Sequence, residues 1–228
     1  MPPALTDFTT AERRLIRRLN TPERVQSFLN RLPYNNEGGG ETLRSFREVV
    51  RHRTAHCLEA ALAAAVILEQ HGYPPLVLSF ESIDKLDHVL FVYRQRGKWG
   101  SIARSRDPGL HGRQPIFSTA RALARSYFDP YIDLSGCIHA FAVVNLEREL
   151  GRYDWRFSAR NVWKAEQMLI DFPHHDLPYS RERERHFRTR YEAFKERYPD
   201  RKPVIYDGSE TWTELPREYT RRGYAKPW

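Results

Sequence analysis

The chain has 228 residues, 40% of them hydrophobic and 13% aromatic, enough to bury a sizeable core without metal or disulfide support and unlike a disordered polymer. Two cysteines, Cys57 and Cys137, are too few for a disulfide framework, and no apolar run reaches membrane-spanning length. The net charge of +8 would suit nucleic acid, but the basic residues are mixed with acids and no nucleic-acid module is recognisable, so no nucleic-acid partner is expected. The N-terminus shows no basic segment followed by an apolar one. The expected location is a reducing cytoplasm, where a free thiol persists.

In chain order, Thr10 is placed to cap a helix running through Ile16, and Thr21-Pro22 opens a second with Val25, Phe28, Leu29 and Leu32 on one face. Pro33 and the Asn35–Gly40 stretch predict a turn-rich loop. A third helix, capped by Thr42 and reaching about Val50, leads to Arg51-His52-Arg53. Thr54 then caps the helix that dominates the pattern. Leu58, Ala60 to Leu68 and the stop Gly72-Tyr73-Pro74-Pro75 describe a helix apolar all round, which belongs inside a domain.

Beyond Pro75 the period becomes that of strands. Residues 76–80, 88–93 and 99–103 are expected strands, the last two joined by a tight hairpin at Gln95–Lys98. Residues 118–127 read as a helix and 138–144 as a fourth strand. Helices followed by an antiparallel sheet give an α+β fold class. Residues 1–150 are expected to form the core. Residues 151–228 are expected to form a helical appendage with an irregular tail from Trp212, docked through two stripes. One comprises Val162, Ala165, Leu169 and Ile170, the other Phe187, Tyr191, Phe194 and Tyr198.

Chemistry concentrates at Cys57. A thiol in a helix's first turn faces unpaired N–H groups and the positive end of the helix dipole, which favour thiolate; a small buried hydrophobe is the competing role. A thiolate nucleophile needs a base and a group to orient that base. A two- or four-residue hairpin loop puts Arg94 opposite Trp99 and hence His88 opposite Ser105. Asp107, two residues on, then shares the face of His88. A three-residue loop reverses that parity. Asp87 points to the opposite face, and Asp84 is a weaker substitute. His52 and His56 flank the nucleophile, and Glu59 is assigned a structural role. Cys137, His139, His174 and His175 fit no common zinc spacing, with the last two placed on a surface turn, so neither metal nor cofactor is called for.

A cysteine opening a buried, alanine-rich helix that ends His71-Gly72-Tyr73-Pro74-Pro75, a strand opening with His88, then Gly97-Lys98-Trp99-Gly100 and Asp107-Pro108, resembles the transglutaminase-like superfamily over roughly residues 40–110. The resemblance implies a papain-like fold, with a buried central helix packed on the antiparallel sheet and a Cys–His–Asp triad. In it Cys57 is the nucleophile, His88 the general base and acid, and Asp107 the orienting carboxylate. The family's aspartate sits in or directly at the end of its strand. Here Ile102 to Arg106 intervene, with Ser105 and Ser101 as substitutes. The backbone N–H of Cys57 is the natural oxyanion donor, and no second donor is assigned.

The implied reaction is acyl transfer through a thioester on a peptide, amide or ester carbonyl, completed by water or by an amine. Arg104, Arg106 and Trp99 are expected to contact a peptide or protein substrate of acidic character. The alternative is a non-catalytic member that binds a protein in the same arginine-lined cleft.

Overall fold

The first three helices each begin at a hydroxyl that accepts a first-turn N–H, removing one of the unpaired donors of a helix start. In this computed structural model, which describes residues 2–82, 88–105, 108–128, 138–178, 180–197 and 199, those caps are Thr9, Thr21 and Ser45. They open α1 (Thr10–Arg18), α2 (Pro22–Asn30) and α3 (Phe46–His52). Two expected caps are thereby corrected. Thr10 is the first residue of α1 rather than its cap, and the Thr42 hydroxyl is engaged instead by a buried carboxylate, Glu59.

The central helix α4 (Cys57–Glu69) is buried from Leu58 to Glu69. It starts later than Thr54 because that hydroxyl donates to the Pro33 carbonyl at 3.1 Å and Ala55 bridges to Tyr34, holding the chain extended up to His56. Its stop is as expected. Gly72 turns with φ of 83°, and the N–H groups of Gly72 and Tyr73 return to the carbonyls of Glu69 and Leu68.

Six strands follow in one antiparallel sheet of order β4-β3-β2-β1-β5-β6. They are β1 (Leu76–Glu81), β2 (His88–Gln95), β3 (Lys98–Ile102), β4 (Arg113–Phe117), β5 (Ala140–Asn145) and β6 (His175–Asp176). Interspersed and following are α5 (Ala120–Arg125), α6 (Leu146–Leu150), α7 (Trp163–Asp171) and α8 (Arg181–Arg197). The fold is α+β. The hairpin loop is the two residues Arg96-Gly97, both at positive φ, and it sets Arg94 opposite Trp99. The β2–β3 ladder ends at Phe91–Ile102, because the Gln26 side chain takes both backbone groups of Ala103, at 2.9 and 2.8 Å. The extrapolated pairing of His88 with Ser105 therefore does not form; His88 pairs with Phe80 of β1.

One face of the sheet, carrying Val77, Val89, Phe91, Tyr93, Ala142 and Val144, packs against α4, with α1–α3, α6 and α7 around it. The other, carrying Leu78, Phe80, Leu90 and Val92, packs against Leu123 and Ala124 of α5 and against Tyr127. Val162, Ala165 and Leu169 join the α4 core, whereas the side chains of Phe187, Tyr191 and Phe194, together with Tyr198 and the tail from Trp212, lie outside the described residues. Glu69, near the end of α4, is fixed by a bidentate pair with Arg156 at 2.8 and 2.8 Å. No helix among the described residues is long and apolar enough to cross a membrane.

Gly112 marks a close approach: a Cβ there would lie 2.1 Å from Gln26 Oε1 and 2.5 Å from the Ser101 carbonyl. Gly112→Ala is predicted to cost about 2–3 kcal/mol in urea unfolding, and Gly38→Ala, whose Cβ meets nothing within 4 Å, to stay within about 0.5 kcal/mol of wild type.

Candidate active site

Cys57 is the first residue of α4 and is half-buried, at the point where helix geometry leaves backbone N–H groups without acceptors. Two imidazoles act on its thiol, those of His56 and His88. The structure thus brings together two of the three expected catalytic residues and adds a second histidine. Asp107, and with it Arg106, lies outside the described residues.

His56 is held from the N-terminal side of the fold. Its Nε2–H donates to the Thr42 carbonyl at 2.9 Å and lies 3.6 Å from Glu59 Oε1. That leaves Nδ1 for the thiol. Glu59 is fully buried and accepts four hydrogen bonds, from Asn35 Nδ2 at 3.1 Å, Thr42 Oγ1 at 2.9 Å and the backbone N–H groups of Arg44 and His56 at 3.0 Å each. The loop that the sequence marks as most turn-rich is thereby stitched to the start of α4.

His88 opens β2 from within the protein. Its Nε2–H donates to the Leu110 carbonyl at 2.9 Å, and its ring stacks on Phe80 and tilts against Tyr127. A backbone carbonyl, rather than a side-chain carboxylate, is the orienting group among the described residues. The turn that presents it, Pro108–Leu110, is itself held by the buried Arg113, which donates to the carbonyls of Gly109 and His111 at 2.6 Å each. Tyr127 donates to the His111 carbonyl at 2.9 Å, and Arg113 lies over its ring at 4.1 Å.

Burial alone would push the Cys57 thiol up, but the hydrogen bonds and charges of His56 and His88 outweigh it and hold the thiol well below its usual range. For His56, burial pulls downward, and the bond to Cys57 with the charges of Cys57 and Glu59 lifts the ring to about 9. On α7, Glu166 is raised by burial, with His56 opposing and Glu41, Glu37 and Cys57 adding to the rise. Carboxylates as well as imidazoles therefore set the field at the thiol.

Of the expected substrate contacts, Arg104 is tied to the scaffold. Its Nε and Nη2 donate to the Leu32 carbonyl at 3.3 and 3.2 Å, and Nη1 donates to the Ser105 carbonyl at 2.5 Å. Trp99 pairs with Arg94, six residues along β2 from His88, so roughly 20 Å of strand separates it from the imidazole. The buried carboxamides are engaged too. The Gln26 amide protons are not free for an oxyanion, since Nε2 donates to Asn30 and Ala103, and Asn35 Nδ2 donates to Thr42 and Glu59. His174 is not on a free turn: it accepts from Ser79 at 2.9 Å and donates to the Phe172 carbonyl at 2.7 Å. Among the described residues no group of three or more His, Cys, Asp or Glu is placed to hold a metal.

No family model and no curated protein matches this chain. Its chemistry rests on the geometry above.

Two predictions follow from the frames around the imidazoles. Glu59→Ala leaves buried donors without their acceptor and should cost about 3–5 kcal/mol in urea unfolding. His111 is buried, and burial pulls its ring down to about 3, so between the ordinary histidine value near 6.5 and that point the unfolded chain binds a proton the fold refuses. Stability from this group is present at neutral pH and is lost as pH falls. The advantage of wild type over His111→Gln should shrink by about 2 kcal/mol between pH 7 and pH 5, read from paired urea titrations.

Proposed function

We propose that this chain is a cysteine-dependent acyl-transfer enzyme of transglutaminase-like type, acting on a peptide, amide or ester carbonyl through a thioester on Cys57. One observation carries the reading: the thiol sits at the first position of a buried helix and its pKa is lowered by two imidazoles, each braced through Nε2–H by a backbone carbonyl. A central helix packed against an antiparallel sheet supports it, with nucleophile and base arriving from those two elements in that order.

In this mechanism the thiolate attacks the carbonyl carbon, and the developing oxyanion is met by the N–H of Cys57. The C–N or C–O bond breaks as His88 gives its proton to the leaving group. His88 then takes a proton from water, completing hydrolysis, or from an amine, completing transfer, and the thiolate is released. The Leu110 carbonyl keeps the ring in the tautomer that this shuttle needs.

The test is a p-nitrophenyl ester or peptide thioester, with and without a primary amine. Expected is a covalent acyl adduct on Cys57 by peptide mass mapping, absent in Cys57→Ser, with turnover to acid or to the new amide. An unmodified Cys57 that alkylates with an ordinary thiol profile sinks the enzyme reading in favour of a non-catalytic binding module.

A further inference from the structure

The two imidazoles on the thiol are not equivalent. His56 is backed by the buried Glu59 carboxylate at 3.6 Å as well as by the Thr42 carbonyl. Among the described residues His88 is backed by the neutral Leu110 carbonyl, and its ring lies against those of Phe80 and Tyr127. A full negative charge behind an imidazole favours a proton that stays; a neutral acceptor in an aromatic cage favours one that moves.

Resting on the reading of Cys57 as a nucleophile, we infer that His56 is the fixed cationic partner of the thiolate, leaving His88 free to carry the mobile proton. The proton released by Sγ goes to His88 and from there to the leaving group, and the proton that resolves the thioester returns by the same ring. His56 keeps its proton throughout, so the cycle balances without it. The ring's lift to about 9 agrees with this assignment.

Among the described residues, Cys57 and Glu59 on α4 and Glu166 on α7 bear on His56, and His88 on β2 bears on the same thiol. Arg44 lies 4.0 Å from Glu59, and Glu37 and Glu41 of the stitched loop act on Glu166. Apart from His88, Arg44 and the helix end, these groups are anionic or become so, and they favour the cationic ring. Among the described residues, the charged groups grouped with His88 around the His111 ring are the arginines Arg104 and Arg113, and neither supplies a negative charge.

The experiment compares iodoacetamide alkylation of Cys57 across pH 4–9 in wild type, His56→Gln and His88→Gln, each checked by circular dichroism. The expected result is an acid limb moved to higher pH by about one unit or more in His56→Gln, and by less in His88→Gln. His88→Gln should still acylate with p-nitrophenyl acetate, whose leaving group needs no proton, yet release a single stoichiometric burst and stall. Equal shifts, or a larger shift in His88→Gln, overturn the division of roles. If wild-type Cys57 itself shows no labelling below the ordinary thiol range, the nucleophile reading fails first, which separates the two failures. Should His56→Gln not fold, long-range nitrogen–proton spectra of the wild-type histidine rings decide. A His56 ring doubly protonated at pH 7.5 supports the assignment, and a neutral one overturns it.

Discussion

The carboxylate of Glu59 is the constraint on which the rest of the site depends. A charge with no solvent exposure must be met by donors at nearly every lone pair, or the fold loses several kcal/mol. Here the four donors come from Asn35, Thr42, Arg44 and His56, so satisfying one carboxylate fixes a loop, a helix start and a histidine together. Once Thr42 is held by its hydroxyl, its carbonyl meets His56 Nε2–H, and the ring has only Nδ1 left for Cys57. The orientation of the imidazole is thus a consequence of burying an acid.

The opposite side of the thiol is built by different means to the same end. There the buried Arg113 gathers backbone carbonyls, and the Tyr127 hydroxyl, bonded to Ser101 at 2.7 Å, caps another; the turn so fixed offers the Leu110 carbonyl to His88. Both frames end in a carbonyl on an imidazole Nε2. They share no residue among these contacts, so each can be disturbed separately, and the thiol reports on both.

The dominant features were legible because they are periodic or local. The apolar run from Ala60 to Leu68, the stop at Gly72 and the apolar run of β2 required nothing beyond the chain's own pattern, and the hairpin register followed from Arg96-Gly97. What escaped were features made by side chains reaching distant backbone. Nothing near Ala103 signals that Gln26, 77 residues earlier, ends β3 there. Nothing in Leu110 signals that its carbonyl will hold His88, since every residue has a carbonyl. The two-residue β6 and the short β4 carry too few positions for a period to show. Cap positions slipped where a second hydroxyl stood nearby: Thr9 beside Thr10, and Ser45 three residues beyond Thr42.

The arginine excess has its explanation inside the fold as much as outside it. Arg156 neutralises Glu69 and Glu147, Arg47 bonds Glu12, Arg113 binds carbonyls, and Arg104 joins the end of α2 to the segment after β3. Guanidinium suits these tasks because its rigid fork supplies several donors and it stays charged when buried. A charge count taken from composition therefore overstates what the surface offers a polyanion. At the thiol the field comes from two rings, the end of α4 and the carboxylates of Glu59 and Glu166, all at short range. Salt screens exposed charges separated by more than about 8–10 Å and hardly reaches such groups, so the reactivity of Cys57 is set by the fold rather than by the protein's net charge.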